Sequence, residues 1–144
     1  MTLLRDAGAS IGVHTWSHPD LRAAGPAVAR EELARTVEEL QHLDVTPTLF
    51  RPPFGHWDDD IVAVAAELGL RTVLWSVTAP DWMEAPTSLL LAALTVPLHA
   101  GAIVALHDGG GDRTATVSVL PALLASIAEA GLVCVDLAGA LGGR

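Results

Sequence analysis

Residues 102–109 read AIVALHDG, five apolar residues that break at once into His107, Asp108 and Gly109. An unbroken apolar run of this length is the pattern of a β-strand covered on both faces, as strands of parallel sheets are. Downstream, Thr116 is placed to cap a helix running to Ala130, with Pro121 either a kink or a later first-turn position. Gly131 ends that helix, and Leu132–Val135 reads as the last strand. Upstream, Thr87 or Ser88 caps a Leu/Ala helix ending near Pro97, which follows a β-rich stretch, Arg71–Val77. Before it, Asp58, Asp59 and Asp60 open a helix, where carboxylates meet the positive end of the dipole, and Gly69 closes it. Thr48–Phe50 is a short strand. Pro26 suits the first position of a helix over Ala27–Leu43, with Glu31, Glu32, Glu38 and Glu39 facing outward. Ser10–His14 (SIGVH) is a short strand, and residues 1–7 read as a helix tail stopped by Gly8.

Strand, loop and helix thus alternate along the whole chain with no internal repeat and no linker, which predicts an α/β fold of parallel strands with outer helices. At 144 residues the chain is one domain's worth, residues 1–144. A closed (β/α)₈ barrel takes about 250 residues. The alternation therefore fits either a small open sheet or most of a barrel. A start inside a helix tail favours the latter, an incomplete distorted (β/α) barrel lacking its beginning.

Composition excludes several classes. With 51% hydrophobic and 17% charged residues the chain has the apolar content of a packed core, unlike a disordered segment. No apolar run approaches the roughly 18–20 residues of a membrane span, and residues 1–20 lack the pattern of a signal peptide, so localisation stays open. A net charge of −9 with only eight basic residues, all Arg, argues against nucleic acid as a partner. The single Cys134 forbids an internal disulfide.

Polar residues gather just past the C-terminal ends of the expected strands, where parallel α/β folds collect ligands and catalytic groups. SIGVH runs into Thr15-Trp16-Ser17-His18; the strand at 48–50 runs into Arg51-Pro52-Pro53-Phe54-Gly55. The β-rich stretch at 71–77 leads to Asp81-Trp82, and AIVAL leads to His107-Asp108. His14 and His18, four apart, are either metal ligands brought together by a turning loop or simple loop caps. Arg51, pinned before two prolines, is either a surface charge or a holder of a carboxylate. His107, at the edge of the core, is a satisfied imidazole or a general acid. Asp81-Trp82 is a turn with a packing aromatic, or a surface for a sugar or acyl group. Gly109–Gly111 resembles a flexible loop; no Lys-Ser/Thr follows, so it is no phosphate-binding loop.

Taken in order, His14-Thr15-Trp16-Ser17-His18, Arg51-Pro52-Pro53-Phe54-Gly55, Asp81-Trp82 and Leu106-His107-Asp108 resemble the polysaccharide deacetylases with the NodB homology domain, carbohydrate esterase family 4. The resemblance covers nearly the whole chain and implies a distorted (β/α) barrel. It implies a metal-dependent hydrolase removing N- or O-acetyl groups from a carbohydrate polymer, zinc being the expected metal. By position it makes His14 and His18 metal ligands, with Thr15 and Ser17 bracing their loop. Arg51 would orient the catalytic base and the Phe54 N–H would face the oxyanion. Trp82 and Leu106 would line the acetyl pocket, and His107, held by Asp81, would be the general acid. The family's T-F-D-D-G motif, which supplies the base and a third metal ligand, is nowhere in the sequence. The expectations are therefore weak metal binding through two imidazoles, little activity from this chain alone, and room for self-association or a partner covering the open barrel edge. The rival reading is a carbohydrate-binding remnant that keeps its aromatic rim (Trp16, Trp57, Trp82) without chemistry.

Overall fold

Parallel pairing here is brief, and helices carry most of the core. The computed structural model describes Leu4 and residues 6–142. The expected helix tail at residues 1–7 falls partly outside these. Leu4 and Asp6 are helical, and the Ala9 N–H donates to the Leu4 carbonyl across Gly8 at φ +74°, closing the helix as a Schellman motif does. The chain forms two compact units, Met1–Leu74 with Val135–Arg144, and Trp75–Cys134.

In the first unit, β1 (Leu49–Phe50) pairs in parallel with β2 (Arg71–Thr72), with Leu49 opposite Arg71 and Phe50 opposite Thr72. Val13 adds a single parallel bridge to Phe50, its N–H donating to the Leu49 carbonyl and its own carbonyl accepting from Arg51. The strand expected over Ser10–His14 is therefore reduced to one bridging residue. The crossovers are helical: α1 (Leu21–Ala24) and α2 (Pro26–His42) precede β1, and α3 (Asp59–Glu67) lies between β1 and β2. Pro26 opens α2 as expected, and the Asp58 carboxylate caps α3 by accepting the Ile61 N–H at 2.9 Å. Ala29 and Leu33 on α2, and Ile61, Val64 and Ala65 on α3, bury one stripe of each helix against Val13, Leu21, Phe50 and Leu70. The C-terminal α6 (Leu137–Gly142) is tied to this unit by the Asp136 carboxylate, which accepts from Ser10 N–H, and by Arg71, which donates to the Leu141 carbonyl.

In the second unit, β3 (Val77–Thr78) pairs in parallel with β4 (Val104–Ala105), and α4 (Thr87–Thr95) and α5 (Thr114–Glu129) pack Leu90, Leu94, Val119 and Leu123 onto Val77 and Ala79. No helix among the described residues is long and apolar enough to cross a membrane.

Four local expectations change. The run Arg71–Val77 is not one strand: its first two residues pair with β1, and pairing resumes only at Val77. Residues 132–135 form no strand, and Val133 and Val135 are 82% and 72% exposed. Alternating apolar residues make a strand only where a neighbouring ladder takes up the backbone groups, and no described strand pairs with this segment. Pro86, not Thr87 or Ser88, precedes α4, which has no side-chain cap. Thr116 is the third residue of α5, whose cap position, Arg113, makes no side-chain cap; just before it Asp112 accepts from the N–H and hydroxyl of Thr114.

Helix α2 ends in the same Schellman geometry as the first helix, but with Asp44 at φ +58° in the position that favours glycine. A Cβ in this region is strained. Asp44→Gly is expected to raise stability by about 0.5 kcal/mol, relief of strain exceeding the extra chain entropy of glycine. A thermal melt showing a lower midpoint for Asp44→Gly would contradict this.

Candidate active site

Two clusters of the expected residues are assembled, one in each unit. In the first unit the parallel ladder ends at Val13 and Phe50, so His14 and Arg51 emerge side by side at its C-terminal end. His14 is half-buried, and its Nδ1 donates to the Arg51 carbonyl. A carbonyl can only accept, so in this hydrogen bond Nδ1 is the donor. The chain then turns sharply, placing the His18 ring edge-on to His14 with centroids 4.9 Å apart. His18 in turn meets Phe54 at 4.8 Å, and beyond Phe54 lies His56, whose Nδ1 pairs with the Asp20 carboxylate at 2.8 Å.

Backbone strain concentrates in this cluster. Among the described residues, four non-glycine residues have positive φ, and three of them are Thr15 (68°), His18 (60°) and Phe54 (59°). Such conformations persist only where the surroundings over-determine them. For Thr15 and His18 the restraint is visible. The Thr15 hydroxyl accepts the His18 N–H at 3.0 Å. Glu32 on α2 accepts three hydrogen bonds, from the N–H groups of Trp16 and Ser17 and from the Ser17 hydroxyl, at 2.7–2.8 Å. The Arg35 guanidinium lies 3.9 Å above the Trp16 ring. Thr15 and Ser17 thus both make hydrogen bonds that hold the turn, one within the loop and one to α2. Glu32, expected to face outward with its neighbours, is instead the clamp. Helical spacing places Glu32 on the half-buried flank of the stripe next to Leu33, but only the fold brings the loop beneath it.

Burial raises the Glu32 pKa, but the hydrogen bonds from Ser17 and Trp16 and the charge of Arg35 outweigh it, so the carboxyl is held below the ordinary glutamate value. Its folded-state pKa being depressed, Glu32 contributes stability that is complete above the unfolded value and is lost as pH falls through the lower folded one. Glu32→Gln is expected to flatten the acid limb of the thermal-stability profile and to speed amide exchange at Trp16 and Ser17. An unchanged acid limb would show that the clamp does not depend on charge.

In the second unit, β3 leads through Ala79-Pro80 to Asp81, and β4 through Leu106 to His107. The Asp81 side chain is fully buried. Its Oδ1 accepts from His107 Nδ1 at 2.8 Å, and its Oδ2 accepts from the His107 N–H at 2.7 Å and from the Thr116 hydroxyl at 3.2 Å. With Nδ1 and the backbone N–H both held by Asp81, the orientation of the His107 ring is fixed. Trp82, half-exposed, stands edge-on to His107 at 5.4 Å, and Leu106 packs against the core of this unit. Gly109–Gly111, read from sequence as flexible, is stapled by Arg113, which donates to the carbonyls of Gly109, Gly110, Asp112 and Asp81. Neither Arg113 nor Thr116 carries a sequence signal for this contact: an Arg after a glycine run is unremarkable, and Thr116 read only as a helix cap.

His14 and His18 fit a divalent cation of the zinc type as two imidazole ligands. The His14 Nδ1 bond to a backbone carbonyl is the orienting contact that metal-binding histidines use. Among the described residues no group of three His, Cys, Asp or Glu completes such a set.

The sequence model of the polysaccharide deacetylase family matches residues 1–73. A chitooligosaccharide deacetylase from Bradyrhizobium is 32% identical over 76% of this chain and 52% of its own length. A peptidoglycan-N-acetylglucosamine deacetylase from Bacillus cereus is 31% identical over 86% of this chain and 59% of its own. Among solved structures, a family 4 carbohydrate esterase from Streptomyces lividans in complex with acetate matches with TM-score 0.81 and 30% identity, over 91% of this chain and 68% of that one. The chain thus spans from about half to just over two thirds of the length of these relatives, and it shares with the solved one an α/β fold of parallel strands and outer helices. With residue pattern, fold and relatives in agreement, the chain belongs to the polysaccharide deacetylases with the NodB homology domain, carbohydrate esterase family 4.

Proposed function

We propose that this chain serves the hydrolytic removal of N- or O-acetyl groups from a carbohydrate polymer. The observation that carries the reading is common to both clusters. His14 and His107 each have Nδ1 hydrogen-bonded to a protein oxygen, which fixes how each ring is turned. His14 and His18 hold the metal, which when bound supplies Lewis-acid polarisation of the acetyl carbonyl. The N–H of Phe54 faces the developing oxyanion, and Arg51 orients a carboxylate base of the kind that T-F-D-D-G supplies in the family. His107 gives its Nε2 proton to the departing amine or alkoxide, while Asp81 fixes its ring. Trp82 and Leu106 flank the acetyl group. Because the sequence contains no T-F-D-D-G, turnover by this chain alone is expected to be low.

The test is zinc titration together with acetate release from acetylated chito-oligosaccharides. Weak zinc binding and little acetate are expected. Robust release that survives both a chelator and His107→Ala would overturn the reading. Trp16, Trp57 and Trp82, exposed by 47%, 44% and 51%, favour a second reading, sugar binding without hydrolysis. Saturable oligosaccharide binding that persists with a chelator, with no acetate released, would favour it.

A further inference from the structure

A threonine hydroxyl inside a helix has a default acceptor, the carbonyl three or four residues back. Thr36, Thr95, Ser118 and Ser126 all use it, at 2.8–3.0 Å. Thr116, buried on α5, does not. Its hydroxyl reaches out of the helix to Asp81 Oδ2. Two donors therefore fill Oδ2, the His107 N–H and the Thr116 hydroxyl, and this rotates the carboxylate so that Oδ1 faces His107 Nδ1. Arg113, three residues earlier on the same approach, pins the Asp81 main chain through its carbonyl. With that carbonyl anchored, the remaining freedom of Asp81 is rotation of its side chain, and Thr116 is the one of these groups outside the Asp81–His107 pair that grips the carboxylate.

We propose that Thr116 is a positioning residue for His107, acting through the Asp81 carboxylate. The inference rests on the reading of His107 as the proton donor, and it deepens that reading. A structural role alone would be met by valine, which has the same shape and suits a buried site beside Val119.

The test is nuclear magnetic resonance of the full chain with isotope-labelled histidine, comparing Thr116→Val and Thr116→Ser with the parent. Thr116→Val is expected to keep the fold by circular dichroism, to speed solvent exchange of the His107 Nδ1 proton about tenfold, and to move the ring nitrogens toward a mixture of tautomers. Thr116→Ser, which keeps the hydroxyl, is expected to restore the parental signals. Should Thr116→Val melt early, Thr116→Ala is read in the same way at lower temperature. Parental His107 signals in the folded Val or Ala variant would overturn the proposal, as would a Ser variant that behaves like Val. A chain that releases acetate robustly despite a chelator and His107→Ala, yet shows these His107 changes on Thr116→Val, loses the proposed activity and keeps this inference. Unchanged His107 signals sink the inference whatever acetate is released.

Discussion

Zinc binding to this chain is expected to disappear with either His14→Ala or His18→Ala. Two imidazoles are the only ligands the sequence resemblance assigns, so removing one leaves a single nitrogen donor against water. Loss of an outer contact to a ligand costs about 10–100-fold in metal affinity, so loss of a ligand itself should cost on the order of a hundredfold or more. The two substitutions differ in a useful way. His14 is half-buried and donates to the Arg51 carbonyl, so His14→Ala also leaves a backbone acceptor short of its partner. His18 is exposed and held through its backbone, so His18→Ala should leave the melting temperature nearly unchanged. Calorimetric titration with zinc, beside a thermal melt of each variant, separates ligand loss from damage to the fold. Undiminished zinc uptake by the folded His18→Ala chain would remove His18 from the metal site.

Phe50→Ala is expected to remove most of the stability of the first unit. Phe50 is completely buried, and it sits where the ladder is widest, opposite Thr72 on one side and bridged to Val13 on the other. Its ring belongs to the same buried cluster as Leu21, Leu33 and Ile61, drawn from three helices. Truncating such a residue costs about 3–5 kcal/mol in lost transfer energy and cavity formation, comparable with the whole stability of many domains. The next residue is Arg51, whose carbonyl orients His14, so zinc binding should fall together with the cooperative melt. Phe50→Leu, which keeps most of the volume, should retain both. A cooperative, parental melt for Phe50→Ala would mean that the core is not organised around this ring.

Legibility of the sequence followed the range of the interactions. Most helix signals are local and were readable: Pro26 opening α2, Asp58, Asp59 and Asp60 opening α3, and Gly69 and Gly131 closing their helices. The caps expected at Thr87 or Ser88 and at Thr116 did not form. Strand signals depend on a partner, and the sequence overstated them. SIGVH yields one bridging residue, 71–77 divides, and 132–135 finds no ladder. Candidate site residues could be nominated from the sequence where the residue type itself carries chemistry, as at His14, His18, Asp81 and His107. Those that act by holding others were not. Glu32 resembled its solvent-facing neighbours, and Thr116 resembled a cap.

By itself the sequence determined the alternating order, the place of the reactive residues just past strand ends, and the family. Periodicity, capping and residue chemistry are properties of short segments, and they survive without a partner. Only the tertiary structure decided which nitrogen of His14 and of His107 carries a proton. It also decided that a helix glutamate clamps the His14–His18 loop, and that a helix hydroxyl turns away from its own backbone toward Asp81. The reason is physical: a hydrogen bond is fixed by where its second atom lies, and for these contacts that atom is up to 37 residues away along the chain.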